Sequence, residues 1–531
     1  MNLTLILSKR SVLIGLAAVL IAALVVSVRF LTFQPGDATV DGSTSKLSGR
    51  RPETILRVAV PSLPPGLGNP FTSISIPTIY TWAAIFDSLT YVTEDGEILP
   101  WLATSWEGLD ENTWSFQLQP DVMFHNGVPL TAQSVADVVA YIVSDEAKAT
   151  SVGQEMYFLE SAEAIDHLHV VIKTKQPQPM LLSYLAMLPI VEMGAWRGLG
   201  EEGFAMAPVG TGPYRLKEWS NSMAKLSAFE SSWRAPKTAS LELVSIVELS
   251  ARVQALLSGS VDIALSINVE DIPAIKALGG KTMLGKTLSN VGVTFILTKL
   301  PPDHPLMDKR VRQALNYAVN KERYIEALLA GRSRVASQPA TPETFGYNEE
   351  LEAYSYDPER ARTLLADAGF ADGFEFTAIL TPDANMGLSA VYQQVAADLR
   401  SVGVTMKIIA IPITRLIQNV HTGNWTSEAF GMNYNAERSL DALRFTRLHS
   451  CRLPNPWYCN VLLTEEIERA SIIWDLEERR RRVQGIMAHY HEDAPAIWLH
   501  QMHYLHGVSG TVSGFQQDLA FVRYDSIELE K

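Results

Sequence analysis

The sequence predicts an α/β protein divided into at least two lobes, and three observations carry that reading. The chain has 531 residues, beyond the ~250–300 at which a single hydrophobic core stops growing. Short strand-like runs (Ile55–Val60, Thr113–Leu118, Val404–Ile411) are interleaved with amphipathic helical patterns such as Val311–Val319 and Val391–Val404. Apolar residues make up 47% and charged ones 19%, ordinary for a globular protein. Net charge is −14, from 44 basic and 58 acidic residues, which argues against nucleic acid as a partner because that needs a basic face.

The N-terminus differs from the rest. Lys9 and Arg10 precede Ser11–Val28, an 18-residue apolar run, which as a helix is ~27 Å long and close to the thickness of a bilayer core. A cleaved secretory signal and an uncleaved anchor both fit, since the run is long and no Ala-x-Ala ends it. Either way the remainder is expected outside the cytoplasm. Gln34 to Arg51 is rich in Gly, Ser, Thr and Asp without apolar period and reads as a flexible tether.

From Ile55 onward the elements follow one another. Ile79–Tyr91 places Trp82, Ala83, Ile85, Phe86 and Leu89 on one helical face. Thr113–Leu118 alternates as a strand, and Asn126-Gly127 suits a type I′ hairpin turn. Thr131 caps a helix carrying Val135, Val138, Val139 and Ile142. Leu241–Leu249 reads as a strand, Val253–Leu257 as a short helix and Ser289–Leu297 as a further strand. Pro305–Gly331 is the strongest helical signal, with Asp308 and Asn320 placed to cap. Asp357 with Pro358 opens another helix, which Gly369 ends. The run Glu477 to Arg482 reads as the solvated face of a helix.

Pro208–Leu216 packs two glycines, a threonine and two prolines into a rigid turn before a strand. Gly-x-Gly here lacks the Lys-Ser/Thr of a phosphate loop. GTGPYRLKEW, followed by SSWR, resembles the "GTGPY…W…N-x-x-Y-W" segment of the extracytoplasmic solute-binding proteins of ABC importers, peptide/nickel class. Other stretches match that family in order: VMFHNGV before Thr131, Gly259 to Ala264, PLMDKRVRQALNYAVNKERYI, and the Tyr356-Asp357-Pro358-Glu359 helix. The resemblance covers about residues 55–515.

That resemblance implies a two-lobed periplasmic-binding-protein fold of the large, cluster C type, with a hinge and an interlobe cleft. It implies a first lobe of residues 54–289 plus 497–531 with an inserted subdomain at about 107–204, and a second lobe of 290–496, behind a signal or anchor (1–30) and a linker (31–53). The implied activity is capture of a peptide or a peptide-like or opine-like solute and its delivery to permease subunits of an ABC importer. The protein is expected to be periplasmic, tethered by residues 11–28 if these are not cleaved, and a monomer without cofactor or nucleic acid. In peptide-binding relatives a carboxylate in a "W-x-x-D" segment holds the ligand's α-amine. The matching stretch here, Gly431 to Arg438, puts Asn435 at the Asp position and Met432 at the Trp, with Glu437 or Asp441 as substitutes by a small shift. The candidate ligand-binding residues are Trp425, Asn433, Tyr434, Asn435 and Arg438, with Tyr80 and Trp82 on the first lobe and Asn290 at the crossing between lobes.

Cys451 and Cys459 are the only cysteines, and outside the cytosol a disulfide is the default, metal the lesser reading. Five of eleven histidines fall between His489 and His506; nickel or a metal chelate is therefore an alternative ligand, but they match a closing strand, where His500 and His506 share a face. A sensor or chaperone role is an alternative within binding. An exported hydrolase is disfavoured by the lack of Gly-x-Ser-x-Gly and His-Glu-x-x-His motifs.

Overall fold

The computed structural model describes residues 54–381, 388–437, 439–446 and 450–530. Ten strands of one mixed sheet organise it: β1 (Ile55–Val60), β2 (Tyr214–Trp219), β3 (Met223–Ala228), β4 (Ser240–Ser245), β5 (Ile263–Ala264), β6 (Lys281–Phe295), β7 (Phe374–Leu380), β8 (Val404–Ala410), β9 (Ala429–Asn435) and β10 (Ala496–Val508). Their order across the sheet is β8-β7-β9-β6-β10-β5-β1-β4-β3-β2. β1 is parallel to β4 and β5, and β7 to β8 and β9. The central pair, β6 and β10, is antiparallel.

Those two long strands join the lobes. Lys281 to Lys286 of β6 pairs with His503 to Val508 of β10 on the side of β5, while Ser289 to Phe295 pairs with β9. Between the halves the register slips twice: Lys286 to Asn290 lies opposite only His503 to Gln501, and Asn290 to Gly292 lies opposite Gln501 to Trp498. Such irregularities bend a strand and raise its local twist, and element-terminal irregularity is where hinge rotation is absorbed. Val291, Val293 and Phe295 then enter the core of the second lobe, against Val311, Leu315, Val391 and Val395 from the flanking helices. The first lobe carries a separate four-stranded antiparallel sheet, Ala103–Asp110, Thr113–Leu118, His169–Thr174 and Leu159–Ala164, covered by the helix Ala132–Ile142.

Local chemistry starts the helices where the sequence indicates. Asp308, Asn320 and Asp357 accept the backbone N–H of Arg310, Arg323 and Arg360 at 2.8, 3.0 and 2.9 Å. Thr131 and Ser134 cap each other reciprocally.

The Pro208–Leu216 turn is held by contacts far from it in sequence. A Cβ on Gly210 would sit 2.1 Å from the Ile85 carbonyl oxygen, and one on Gly212 would meet the Ile85 carbonyl carbon at 2.6 Å. Close backbone approach, rather than a positive φ, is what requires glycine there. The N–H groups of Gly212 and Tyr214 donate to the carbonyls of Ile85 and Ala84, both at 3.0 Å, and Arg234 Nη2 donates to that of Ala83 at 2.8 Å. With these carbonyls engaged, the helix closes at Ile76–Trp82 and does not run through to Tyr91 as its apolar spacing suggests. His125 clamps the same turn: Gly210 N–H donates to Nδ1 at 3.4 Å, and Nε2 donates to the Gly212 carbonyl at 3.1 Å.

Other expectations are corrected by packing. Of Asn126 and Gly127 only Gly127 has positive φ (84°), so the turn is not type I′. Asn126 is instead fixed by its side chain, which accepts from Val128 N–H and donates to Glu192. The strand expected to reach Leu249 stops at Ser245, because the helix Leu249–Leu257 begins there. Within the arginine run, Arg479 is 1% exposed and pairs with Asp441 at 2.6 Å, so the face is not wholly solvated. Cys451 and Cys459 are joined by a disulfide. The apolar segment 11–28 lies outside the described residues; among the described residues no helix is long and apolar enough to cross a membrane.

Candidate functional site

β9 ends beside the place where β6 and β10 cross between lobes, with Asn435 opposite Ser289 and Tyr434 opposite Asn290. Alternation along the strand puts Asn433 and Asn435, both half-buried, on the face away from Tyr434. Asn435 Oδ1 accepts the Glu437 N–H at 3.0 Å, and its carbonyl accepts from Arg444 Nη1 at 3.0 Å. Its amide is thus built into the turn that leaves the strand.

The remaining candidates fall into two groups. Tyr434 and Asn290 are interior residues. Tyr434 is fully buried, shares a hydrogen bond with Thr294 Oγ1 at 2.7 Å and packs edge-on against Trp498. Asn290 donates to the carbonyls of Gln338 and Ala340 at 2.9 and 2.7 Å, fastening a loop of the second lobe to the crossing strand. Trp425 stacks on Phe430 at 4.7 Å, and Trp82 packs edge-on against Phe86. Tyr80, buried, lies 3.5 Å from Ser266 Oγ and edge-on to His506. Arg438 lies outside the described residues.

Sequence reasoning named two substitutes for the missing carboxylate, and the structure separates them. Asp441 is committed to Arg479 and accepts the N–H of Leu443. Glu437 is half-buried two residues past Asn435, and the Tyr504 hydroxyl lies 3.1 Å from both of its carboxylate oxygens. Burial pushes the Tyr80 hydroxyl well above its ordinary pKa, and the negative charge of Glu437 adds to the shift. Geometry links the three through one imidazole: Tyr504, which bonds Glu437, stacks on His506 at 6.2 Å, and Tyr80 packs edge-on against the same ring at 6.3 Å. Tyr504 was not legible as part of a site, because in sequence it is one aromatic in a buried strand.

Segments assigned above to different lobes touch: Ser183 Oγ donates to the Ser439 carbonyl at 2.6 Å, and Trp114 meets Trp474 at 5.4 Å. The histidines do not gather. His500 hydrogen-bonds Tyr324, whereas His506 accepts the Ser266 N–H. The register slip between Trp498 and Gln501 falls beside His500, where strict alternation no longer fixes facing. Among the described residues no group of three or more His, Cys, Asp or Glu is arranged to hold a metal. A concavity lined by Leu284, Leu328, Leu388, Met502 and Leu505 includes none of the described candidates.

Comparison with known proteins agrees with this architecture. Residues 97–442 match the family model described as bacterial extracellular solute-binding proteins, family 5. The chain is 29% identical over 364 residues to heme-binding protein A of Haemophilus influenzae, covering 63% of this chain and 66% of that protein, just under two thirds of its length. It is 25% identical over 469 residues to the dipeptide-binding protein of Escherichia coli, covering 82% and 86%. Among solved structures, the periplasmic binding protein DppA of Helicobacter pylori in complex with the peptide STSA superposes with a TM-score of 0.74 at 22% identity, covering 90% of this chain and 98% of that one.

Proposed function

This chain belongs to the bacterial extracellular solute-binding proteins of family 5, and we propose that it is the substrate-binding component of an ABC importer that takes up a peptide-like solute. It captures the solute outside the inner membrane and hands it to permease subunits, breaking no bond. A monomer, a periplasmic location and a role for residues 11–28 as signal or tether belong to the same proposal. So do the lobe boundaries, at residues 289–290 on β6 and 496–497 at the start of β10; the slips in register lie close to both.

The observation that carries the reading is the run of contacts from Glu437 through Tyr504 and His506 to Tyr80, beside a pair of irregular crossing strands. A solute seated there touches both lobes and the strands between them. Differential contact of that kind is what biases a hinge toward closure. Glu437 supplies a carboxylate for an amine at the strand end where Asn435 has none, which deepens the proposal toward ligands with a cationic group.

The test is native mass spectrometry of the mature protein purified from its cells, followed by thermal shift after the bound material is removed and returned. A co-purifying peptide-like or opine-like solute that raises Tm and is recovered unchanged is the expected result. Recovery of a chemically converted solute would overturn the binding reading. The absence of any bound small molecule, with no shift from a panel of di- and tripeptides, would overturn the assignment of ligand class.

A further inference from the structure

The helix Leu443–Thr446 follows the strand end just described, and its Arg444 makes two contacts at once. Nη1 donates to the carbonyl of Asn435 at 3.0 Å, and Nη2 pairs with Glu155 Oε1 at 2.6 Å. Both side chains are 13% exposed. Glu155 ends the helix Ser151–Glu155, which is continuous with the four-stranded unit of the first lobe. Asn435 is only 9 residues from Arg444, whereas Glu155 is 289 residues away.

We infer that Arg444 is a positioning residue that couples lobe closure to the strand end carrying Asn435 and Glu437. The inference rests on the two-lobed binding reading and adds to it the device that holds the closed form. If the lobes part, Glu155 leaves with the first lobe while the Asn435 carbonyl stays with Arg444. The ion pair therefore exists only when the lobes are together, and separation returns both charges to water.

The chemistry of the guanidinium suits this role. Its planar fork carries donors in two directions, so one side chain serves a carbonyl and a carboxylate together; a lysine ammonium is a single point that cannot span both. Half-burial keeps the pair from being screened as a surface pair is. Loss of Glu155 alone leaves Arg444 facing a desolvated seam without this partner, which penalises the closed form specifically. Ser439 and Ser183 close the same seam a few residues earlier, which keeps the end of β9 registered against the first lobe.

The experiment uses the full mature protein without added ligand. Small-angle scattering gives the radius of gyration at low and high salt for wild type, Glu155→Gln, Arg444→Lys and the charge-reversed pair Glu155→Arg with Arg444→Glu. Glu155→Gln is expected to lower the closed fraction at least about tenfold, to enlarge the particle, and to abolish most of the expansion that salt produces in wild type. Arg444→Lys should be intermediate, because it retains the charge but not the fork. The charge-reversed pair should restore part of the salt-sensitive compaction, since it returns the ion pair but glutamate at 444 cannot donate to the Asn435 carbonyl; general damage to packing gives no such recovery. The same radius and salt response in Glu155→Gln as in wild type would overturn the inference. The binding reading would remain standing in that case if native mass spectrometry of wild type still shows a bound solute, and would fall independently if it does not.

Discussion

Replacing Asp87 by asparagine removes a charge that the first lobe is built around. The Asp87 carboxylate, 2% exposed as a residue, receives four donors: Trp101 Nε1 at 2.9 Å, Arg234 Nε at 2.8 Å, Thr211 Oγ1 at 2.7 Å and Trp233 Nε1 at 3.1 Å. Three of these residues belong to the GTGPY and SSWR stretches. Breaking a buried ion pair from one side costs about 3–5 kcal/mol. Asp525, 2.9 Å from Arg234 Nη1, remains and offsets part of that loss. Asparagine keeps one acceptor oxygen but turns an NH₂ toward the donors on the other, at about 1–3 kcal/mol for each group left unsatisfied. These contributions share partners and do not add fully, so about 3 kcal/mol is expected for Asp87→Asn. Asp87→Ala should lose about 5 kcal/mol, comparable with the whole stability of many domains. Urea unfolding followed by tryptophan emission is the assay, since Trp101 and Trp233 both bond to Asp87 and report this region directly. Thr211→Val is the control: it removes one neutral donor from a charged acceptor, worth about 1.5–3 kcal/mol. A loss below about 1 kcal/mol for Asp87→Asn would refute the argument, and a loss for Thr211→Val larger than that for Asp87→Asn would show that charge is not the source.

Three further outcomes are expected. His125 is held at a pKa of about 4, and His500 and His506 at about 3, in each case by burial. Because these values lie below the ~6.5 of an exposed histidine, the unfolded chain binds more protons below that pH. Stability should therefore be full above pH 6.5 and fall steadily toward pH 4, by about 1.4 kcal/mol per histidine per pH unit; a Tm independent of pH from 7 to 4 would contradict this. Glu437→Gln should weaken binding of a free-amine peptide such as trialanine about tenfold or more, while N-acetyl-trialanine is unaffected, as titration calorimetry would show; equal effects on both peptides would remove Glu437 from amine recognition. Reducing Cys451–Cys459, which closes a loop of sequence separation 8, should lower stability by about 2.5 kcal/mol on loop-entropy grounds; an unchanged Tm under reductant would show that the loop is held without it.

The parts of this fold that could be read from sequence are those decided within a few residues. Caps at Asp308, Asn320 and Asp357 bond to N–H groups two or three positions on, so the sequence contains both partners side by side. The end of the helix at Trp82 was not legible because the carbonyls just past it, those of Ala83, Ala84 and Ile85, are taken by Arg234, Tyr214 and Gly212, more than a hundred residues away. Arg479 looked solvated for the same reason: its partner Asp441 is 38 residues distant and on another element. The expectation that His500 and His506 share a face rests on alternation, which decides facing only along an unbroken strand, and β10 slips in register between Trp498 and Gln501. That irregularity lies where the two lobes meet, so the feature that gives the protein a hinge is also the one that defeats a period-two reading. The same holds for the site. Resemblance located the end of β9 and the absence of an acid at Asn435, both properties of one segment. The surroundings of the two nearby carboxylates were not legible: Arg479 claims Asp441, and Tyr504 reaches Glu437 from a crossing strand. The contacts that shape this candidate site therefore join segments 38 residues apart for Asp441 and Arg479 and 67 for Glu437 and Tyr504, whereas the caps of the scaffold are decided within three.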